Sequence, residues 1–441
     1  MNTFIEESDV SGHSGKNRNG LGGTGRNGKQ QPRSSGSFKH ARFRVLAWVA
    51  CLPFVWMTGA AQAQTPVPAA KKAYPTLDLP QRARGDDALR ALGGKLPEVA
   101  AWYGMSTQAF ARMLRQDPHA WLDHKGKLVF IDGFELPEAI GEVASTANIS
   151  ATVPADISQT FFLHSRPGAK RVIYLDFKGG TFTNTAWNTW PISAINAPAF
   201  SLDGDTANFS TSELQRIQYI WQRVAEDYAP FDVDVTTEPP SAEAMTRASS
   251  SDDTFGTRVV ITTDWTDLTA EPCGCGGIAY VSAYDDVGDY YKPAWVFYNK
   301  LGSGNEKYVA EAISHEAGHN LGLSHDGTAA VGYYQGHGSG ATGWAPIMGV
   351  GYYRELVQWS KGEYTGANQT QDDLAIMELR GAPPMADDHA DTVAAATLME
   401  SQDQSGAQSL SASGLISTRT DVDVFRFAMG TGNLNLNLSP G

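Results

Sequence analysis

The period of apolar positions changes several times along the chain. Residues 86–118 show helical spacing, as in Leu96-Pro97-Glu98-Val99-Ala100-Ala101-Trp102-Tyr103 and Thr107-Gln108-Ala109-Phe110-Ala111-Arg112-Met113-Leu114. A short strand, Lys127-Leu128-Val129-Phe130-Ile131, follows them. From Arg171 the pattern turns to buried strands. Val172-Ile173-Tyr174-Leu175-Asp176-Phe177 runs into a Lys178-Gly179-Gly180 turn. Ser210-Thr211-Ser212-Glu213 is a capping box that opens a helix whose Ile217, Ile220, Trp221 and Val224 share one face. Asp232–Thr236, Arg258–Thr262, Ile278–Val281 and Ala294–Tyr298 read as further strands, and a second helix spans about 305–322. This order predicts an α/β or α+β domain that starts near residue 166 and ends near Arg380.

Beyond Gly381 a Pro/Ala/Asp stretch and then Ser/Gln/Gly-rich sequence read as a linker over 381–413. Period-two alternation resumes in Leu415–Ser417, Val422–Phe427 and Leu434–Leu438. Three strands leave exposed edges and little core, so 414–441 is expected to be the start of an incomplete β module.

Composition narrows the setting. Of 441 residues, 41% are hydrophobic and 19% charged, a globular balance, and the length suggests more than one folded unit. Lys39, Arg42 and Arg44 precede an apolar run from Val45 to Thr58, and Ala61-Gln62-Ala63 offers a small-x-small cleavage pattern. Residues 1–63 are therefore expected to be a signal peptide with a long n-region, too short in its apolar part to anchor the mature chain. The formal charge is −14, but residues 1–64 carry eight Lys/Arg against three Asp/Glu. Without them 26 basic residues face 45 acidic ones, a charge of −19. Nucleic acid and anionic membrane surfaces are thus poor partners, and export to the cell exterior or periplasm is expected. Oligomeric state is not legible. Cys273 and Cys275, one Gly apart, are either a small disulfide or two free thiols. No Cys lies between 64 and 272, which excludes a cysteine-based latency switch in a pro-segment. Residues 64–165 are expected to be a linker and a small helical pro-region, with a separate binding module as the alternative.

The chemistry is concentrated in His315-Glu316-Ala317-Gly318-His319-Asn320-Leu321-Gly322-Leu323-Ser324-His325-Asp326. Residues four apart share a helix face, so His315 and His319 can converge on one ion, with Glu316 one step round to hydrogen-bond a metal-bound water. Gly322 permits an abrupt helix end, and a reversal there can bring back His325. Three imidazoles and a position for water make a catalytic zinc site, whereas structural zinc usually has four protein ligands. Zinc lowers the pKa of bound water towards ~7, and Glu316 can act as general base and then pass the proton to a leaving amine. Chance would place the extended pattern in such a chain only a few times in about a hundred thousand, which decides against surface histidines.

On these residues the chain resembles the metzincin clan of zinc metallopeptidases, whose H-E-x-x-H-x-x-G-x-x-H is matched by His315 to His325. Ala345-Pro346-Ile347-Met348-Gly349 resembles the clan's Met-turn, with Met348 as the floor residue. The resemblance covers about 170–380. It implies an α+β peptidase domain, with a mixed twisted sheet and a zinc-binding active-site helix, made as a zymogen and acting on protein or peptide substrates. His325-Asp326 resembles adamalysin-type members, in which that Asp is structural. Within the clan the chain looks most like bacterial secreted members with a pre-peptidase C-terminal β-sandwich. Asp387-Asp388-His389 and Asp421–Phe425 look like that module. One departure stands out. Astacin- and serralysin-like members place a Tyr two residues after the Met, where this chain has Val350. Tyr352 and Tyr353 are the candidates for an oxyanion or substrate contact, with aromatic packing as the alternative. Ile278–Tyr284 is a candidate edge for substrate binding by β-augmentation.

Weaker signals complete the set. Asp203-Gly204-Asp205 and Asp285-Asp286-Val287-Gly288-Asp289 are oxygen-rich turns of a kind Ca²⁺ favours, though neither is an EF-hand. His337 reads as a solvated loop residue, and His164 is a candidate contact to the metal in a latent form. The reading is a secreted zinc endopeptidase acting on extracellular protein. The alternatives are hydrolysis of another amide, such as a cell-wall peptide link, and an adhesin with a degenerate enzyme domain, against which the intact Glu316 argues.

Overall fold

The computed structural model describes residues 72–133, 156–188, 192–263, 274–399, 401–404 and 407–428, with the single residues 435 and 437. The expected signal peptide and the strand at 434–438 lie outside these, apart from those two residues.

The N-terminal part contributes β1 (Ala83–Arg84), α1 (Gly85–Leu92), α2 (Leu96–Trp102), α3 (Thr107–Gln116), β2 (Ala120–Leu122) and β3 (Leu128–Asp132). Next come β4 (Arg171–Asp176), β5 (Gly180–Phe182), β6 (Ile195–Ala197), α4 (Thr211–Asp227), β7 (Asp234–Thr236), α5 (Ala242–Met245), β8 (Phe255–Thr262), β9 (Gly277–Tyr280) and β10 (Ala294–Phe297). The site helix α6 (Glu306–Asn320) precedes β11 (Trp344–Pro346), β12 (Leu356–Gln358) and α7 (Asp373–Leu379).

Eight strands form one mixed sheet in the order β1-β2-β3-β9-β10-β8-β4-β7. β10, β8, β4 and β7 are mutually parallel, while β9 runs antiparallel to β10 and β3 antiparallel to β9. The alternation of side chains sorts the two faces. Val259, Ile261, Ala279, Ala294 and Val296 face the core built by α4 and α6. Val260, Ile278, Tyr280, Trp295 and Phe297 face the other way, towards Phe182, Trp187 and Ile195.

The capping box is present as read: Ser210 accepts from the Glu213 backbone N–H, and the Glu213 carboxylate accepts from the Ser210 N–H. α4 and α6 are locked together by buried polar contacts. Ser314 Oγ donates to Asp227 at 2.6 Å, Tyr228 donates to the Ser314 carbonyl, and Arg223 pairs with Glu311 at 2.8 Å.

Two expectations change. The segment before the peptidase domain is helical as predicted, but it also gives three strands to the main sheet, because the apolar run Leu128–Ile131 finds an unpaired edge at β9. In the expected linker lie β13 (Thr397–Leu398), β14 (Ser401–Gln404) and β15 (Ala407–Leu410), and of Val422–Phe427 only β16 (Phe425–Arg426) is a strand. β14 pairs with β15 as a local antiparallel hairpin, and β13 pairs in parallel with the distant β16, so strand pairing overrides the polar composition. Leu415–Ser417 is not in a strand. No helix among the described residues is long and apolar enough to cross a membrane.

Candidate metal centre

α6 starts at Asn305, whose side chain accepts from the backbone N–H groups of Lys307 and Tyr308. From Val309 to Asn320 every residue is buried, so the helix carries its polar groups into the interior. It stops at Gly322, which has φ +98°. There Leu323 N–H donates to the Gly318 carbonyl and Gly322 N–H to that of His319, the hydrogen-bond pair of a Schellman motif. That reversal returns His325 to the face of His315 and His319, as the sequence predicts.

The three rings are 98% or more buried at the side chain and point their Nε2 atoms at one centre. His315 Nδ1 is 2.9 Å from the Ile347 carbonyl oxygen and His319 Nδ1 is 2.8 Å from that of Leu323. A carbonyl only accepts, so both Nδ1 atoms carry the hydrogen and both Nε2 atoms present lone pairs. His325 Nδ1 lies 2.6 Å from an Asp117 carboxylate oxygen, which fixes its ring in the same sense. His319 and His325 Nε2 are 3.2 Å apart.

A fourth group completes the cluster. Asp132, at the end of β3, sets Oδ2 3.1 Å from His319 Nε2 and 3.5 Å from His315 Nε2, and Oδ1 3.1 Å from His325 Nε2. Tyr333 donates to Asp132 Oδ1 at 2.9 Å and its ring lies 4.5 Å from that of His325. A tetrahedral zinc ion with bonds near 2.0–2.1 Å spaces its donor atoms about 3.3 Å apart, and this set of three nitrogens and a carboxylate has that spacing. The residues present therefore fit a zinc ion, and they form a group able to hold a metal.

Charge is finely divided here. Burial takes His319 down to about 4, whereas at His325 burial is overcome by the carboxylates of Asp117 and Asp132, which raise it to about 10. Asp132 is buried too, but its histidine neighbours hold its carboxyl well below the usual range. Glu316 goes the other way: burial first, and the Asp132 charge second, push its carboxyl well above the usual range. Neither Glu316 oxygen has a hydrogen-bond partner among the described residues. Its space exists because Gly277 of β9 lacks a side chain; a Cβ there would sit 2.0 Å from Glu316 Oε1.

Met348 is fully buried beneath α6, and a Cβ on Gly318 would come within 2.8 Å of its sulfur. The Met348 carbonyl accepts from Asp326 N–H, and Asp326 Oδ1 accepts from Gln369 at 2.7 Å. Asp326 thus ties the chain after His325 to the turn under the site. Burial raises its carboxyl to about 7.

Tyr352 is buried against Tyr308, with ring centroids 4.7 Å apart, and Tyr353, 37% exposed, packs at 6.0 Å from the same ring. The hydroxyl that reaches the cluster is that of Tyr333, which the sequence reading missed along with Asp132 and Asp117. His164 is not a metal contact: its ring is held between Asp234 at 2.6 Å and Glu238 at 2.8 Å. His337 accepts from or donates to Tyr334, away from the cluster. The calcium reading is not supported. Asp286 pairs with Lys127 at 3.0 Å and Asp289 with Lys292 at 3.2 Å, so ammonium groups already answer that charge, and Asp203 and Asp205 cap their own turn. Cys275 is disulfide-bonded, and Cys273 lies outside the described residues.

Residues 216–326 match the family described as metallopeptidase family M12B, reprolysin-like, a span that runs from α4 through the site helix to Asp326. The chain is a zinc metalloendopeptidase. No curated protein and no solved structure matches it. M12B metallopeptidases use zinc, the His/Asp cluster here could hold a metal, and a peptidase acts on protein or peptide substrates.

Proposed function

We propose that the chain is a secreted zinc endopeptidase in which His315, His319 and His325 hold the metal and Glu316 is the general base and acid. The convergence of three buried Nε2 atoms on one centre, each ring fixed through its Nδ1, carries this reading. A bound zinc supplies Lewis-acid polarisation of the scissile carbonyl and makes the attacking water more acidic. Glu316, one residue from His315 on the same helix, takes the proton from that water as its oxygen adds to the carbonyl carbon. It then delivers that proton to the amide nitrogen as the C–N bond breaks. The expected substrate edge at Ile278–Tyr284 is filled, since β9 pairs with β10 on one side and β3 on the other, so a substrate strand can align there beside Glu316 only once β3 is displaced. The Tyr333 hydroxyl, which donates to Asp132, is a candidate donor to an oxyanion beside Tyr352 and Tyr353, whose rings pack against Tyr308.

Met348 supports the histidines from below, and Asp326 plays a structural part. Export rests on the basic and apolar run from Lys39 to Ala63, and disulfide-bonded Cys275 is consistent with an oxidising compartment. The test is zinc content and casein hydrolysis of the processed protein beside Glu316→Ala. The variant should keep about one zinc per chain and lose roughly 10²–10⁴-fold in kcat/KM. An unchanged rate would refute the assignment of Glu316.

A further inference from the structure

Asp132 has no part in the hydrolysis, yet its carboxylate lies within 3.5 Å of the Nε2 atoms of all three imidazoles. It arrives on β3, from chain N-terminal to the peptidase residues. The register pairs Val129 with Tyr280, Phe130 with Ala279, Ile131 with Ile278 and Asp132 with Gly277. Gly276 N–H donates to the Asp132 carbonyl and Val281 N–H to that of Leu128, so β3 takes the hydrogen bonds of the β9 edge. Because side chains alternate, Phe130 and Asp132 both face α6. Phe130 stacks on His319 at 4.4 Å and lies 4.2 Å from His325, while Asp132 reaches all three Nε2 atoms. A slip of one residue would turn both away. The same unit supplies Asp117 to His325, and Lys127, fully buried, pairs with Asp286.

We propose that the β1–β3 unit is a built-in inhibitor of this centre: β3 occupies the strand position a substrate needs beside β9, and the Asp132 carboxylate takes the fourth position on the metal. This rests on the zinc reading of the three histidines. It gives the chain a carboxylate-based latency device in a stretch, residues 64–272, that holds no cysteine. The block has two layers with different reach. The strand excludes extended peptides, whereas the carboxylate alone excludes a ligand small enough to fit in its place.

Acetohydroxamic acid separates the two layers, because it needs only the space of the carboxylate. The full chain, with Asp132→Ala and Asp132→Asn, is loaded with Zn²⁺ or Co²⁺. Probe affinity is measured by calorimetry and the Co²⁺ visible spectrum is recorded with and without the probe. Asp132→Ala should bind the probe at least ~100-fold more tightly than the unaltered chain, with Asp132→Asn between them, as expected when a competing internal ligand is removed. Its Co²⁺ spectrum should shift at probe concentrations that leave the unaltered chain unchanged. Equal affinities and equal spectra overturn the proposal. If Asp132→Ala lacks a cooperative unfolding transition, the isosteric Asp132→Asn decides by the same criteria. Metal absent from all three proteins overturns both this inference and the zinc reading. A tighter probe in the variants, with no casein hydrolysis by the processed protein, overturns the peptidase reading alone.

Discussion

At the residue scale the site depends on what is missing as much as on what is present. Gly277 leaves room for the Glu316 carboxylate, and Gly318 leaves room for the Met348 sulfur. Gly277→Ala would drive a methyl into Glu316 Oε1, at 2.0 Å, with backbone on one side and a buried helix on the other. It should destabilise the protein by about 1–3 kcal/mol, read by urea unfolding. The displaced carboxylate should lower kcat/KM of the processed protein by roughly 10²-fold, with zinc content unchanged. Wild-type kinetics in that variant would mean that Glu316 does not work from the position described here. Gly318 stands at a variable position of the motif, and nothing in the sequence says that it faces a methionine sulfur. The motif names the ligands; it is silent on the small residues that let them pack.

At the scale of elements, α6 and its ending were legible because they depend on local rules: a four-residue spacing and a glycine free to take positive φ. Gly322→Ala should cost about 1–2 kcal/mol for the left-handed backbone alone. It should also weaken zinc binding, since the same turn aims His325 and supplies the Leu323 carbonyl to His319. Competition with a chromophoric chelator measures this, and unaltered zinc affinity would show that the turn does not place the ligand. The pairing of β3 with β9 was not legible. Leu128–Ile131 reads as a strand, and Ile278–Tyr284 reads as an open edge for a peptide, but their sequence separation of about 150 residues hides that each is the other's partner. Asp132, at the end of that apolar run, looks from sequence like the residue where a strand meets solvent. Only the register shows that it turns inward. The C-terminal strands shifted for a related reason: the β14–β15 hairpin is hidden by its polar composition, and the parallel pairing of β13 with β16 joins residues 28 apart.

For the whole molecule, one contact gives a pH signature remote from the metal. His164, on the segment before β4, sits between Asp234 and Glu238, and although burial opposes charge these two carboxylates raise its proton affinity above that of a free imidazole. A group with a raised folded pKa stabilises the fold fully below its unfolded value of about 6.5, and the contribution is lost as pH rises through the folded value. His164→Ala should therefore be less stable than the unaltered chain near pH 5.5, and the gap should narrow as pH rises to about 9. Urea unfolding across that range checks it, and a gap that widens with pH would contradict the assignment. The ring is part exposed, so the effect is a small one.

Catalysis and its proposed inhibition both depend on a single metal held by three imidazoles. Elemental analysis of the dialysed full chain beside His319→Ala tests this most directly. About one zinc per chain is predicted for the first and little or none for the second, since losing one of three nitrogen ligands removes a large part of the binding energy. Stoichiometric zinc retained by His319→Ala would contradict the claim.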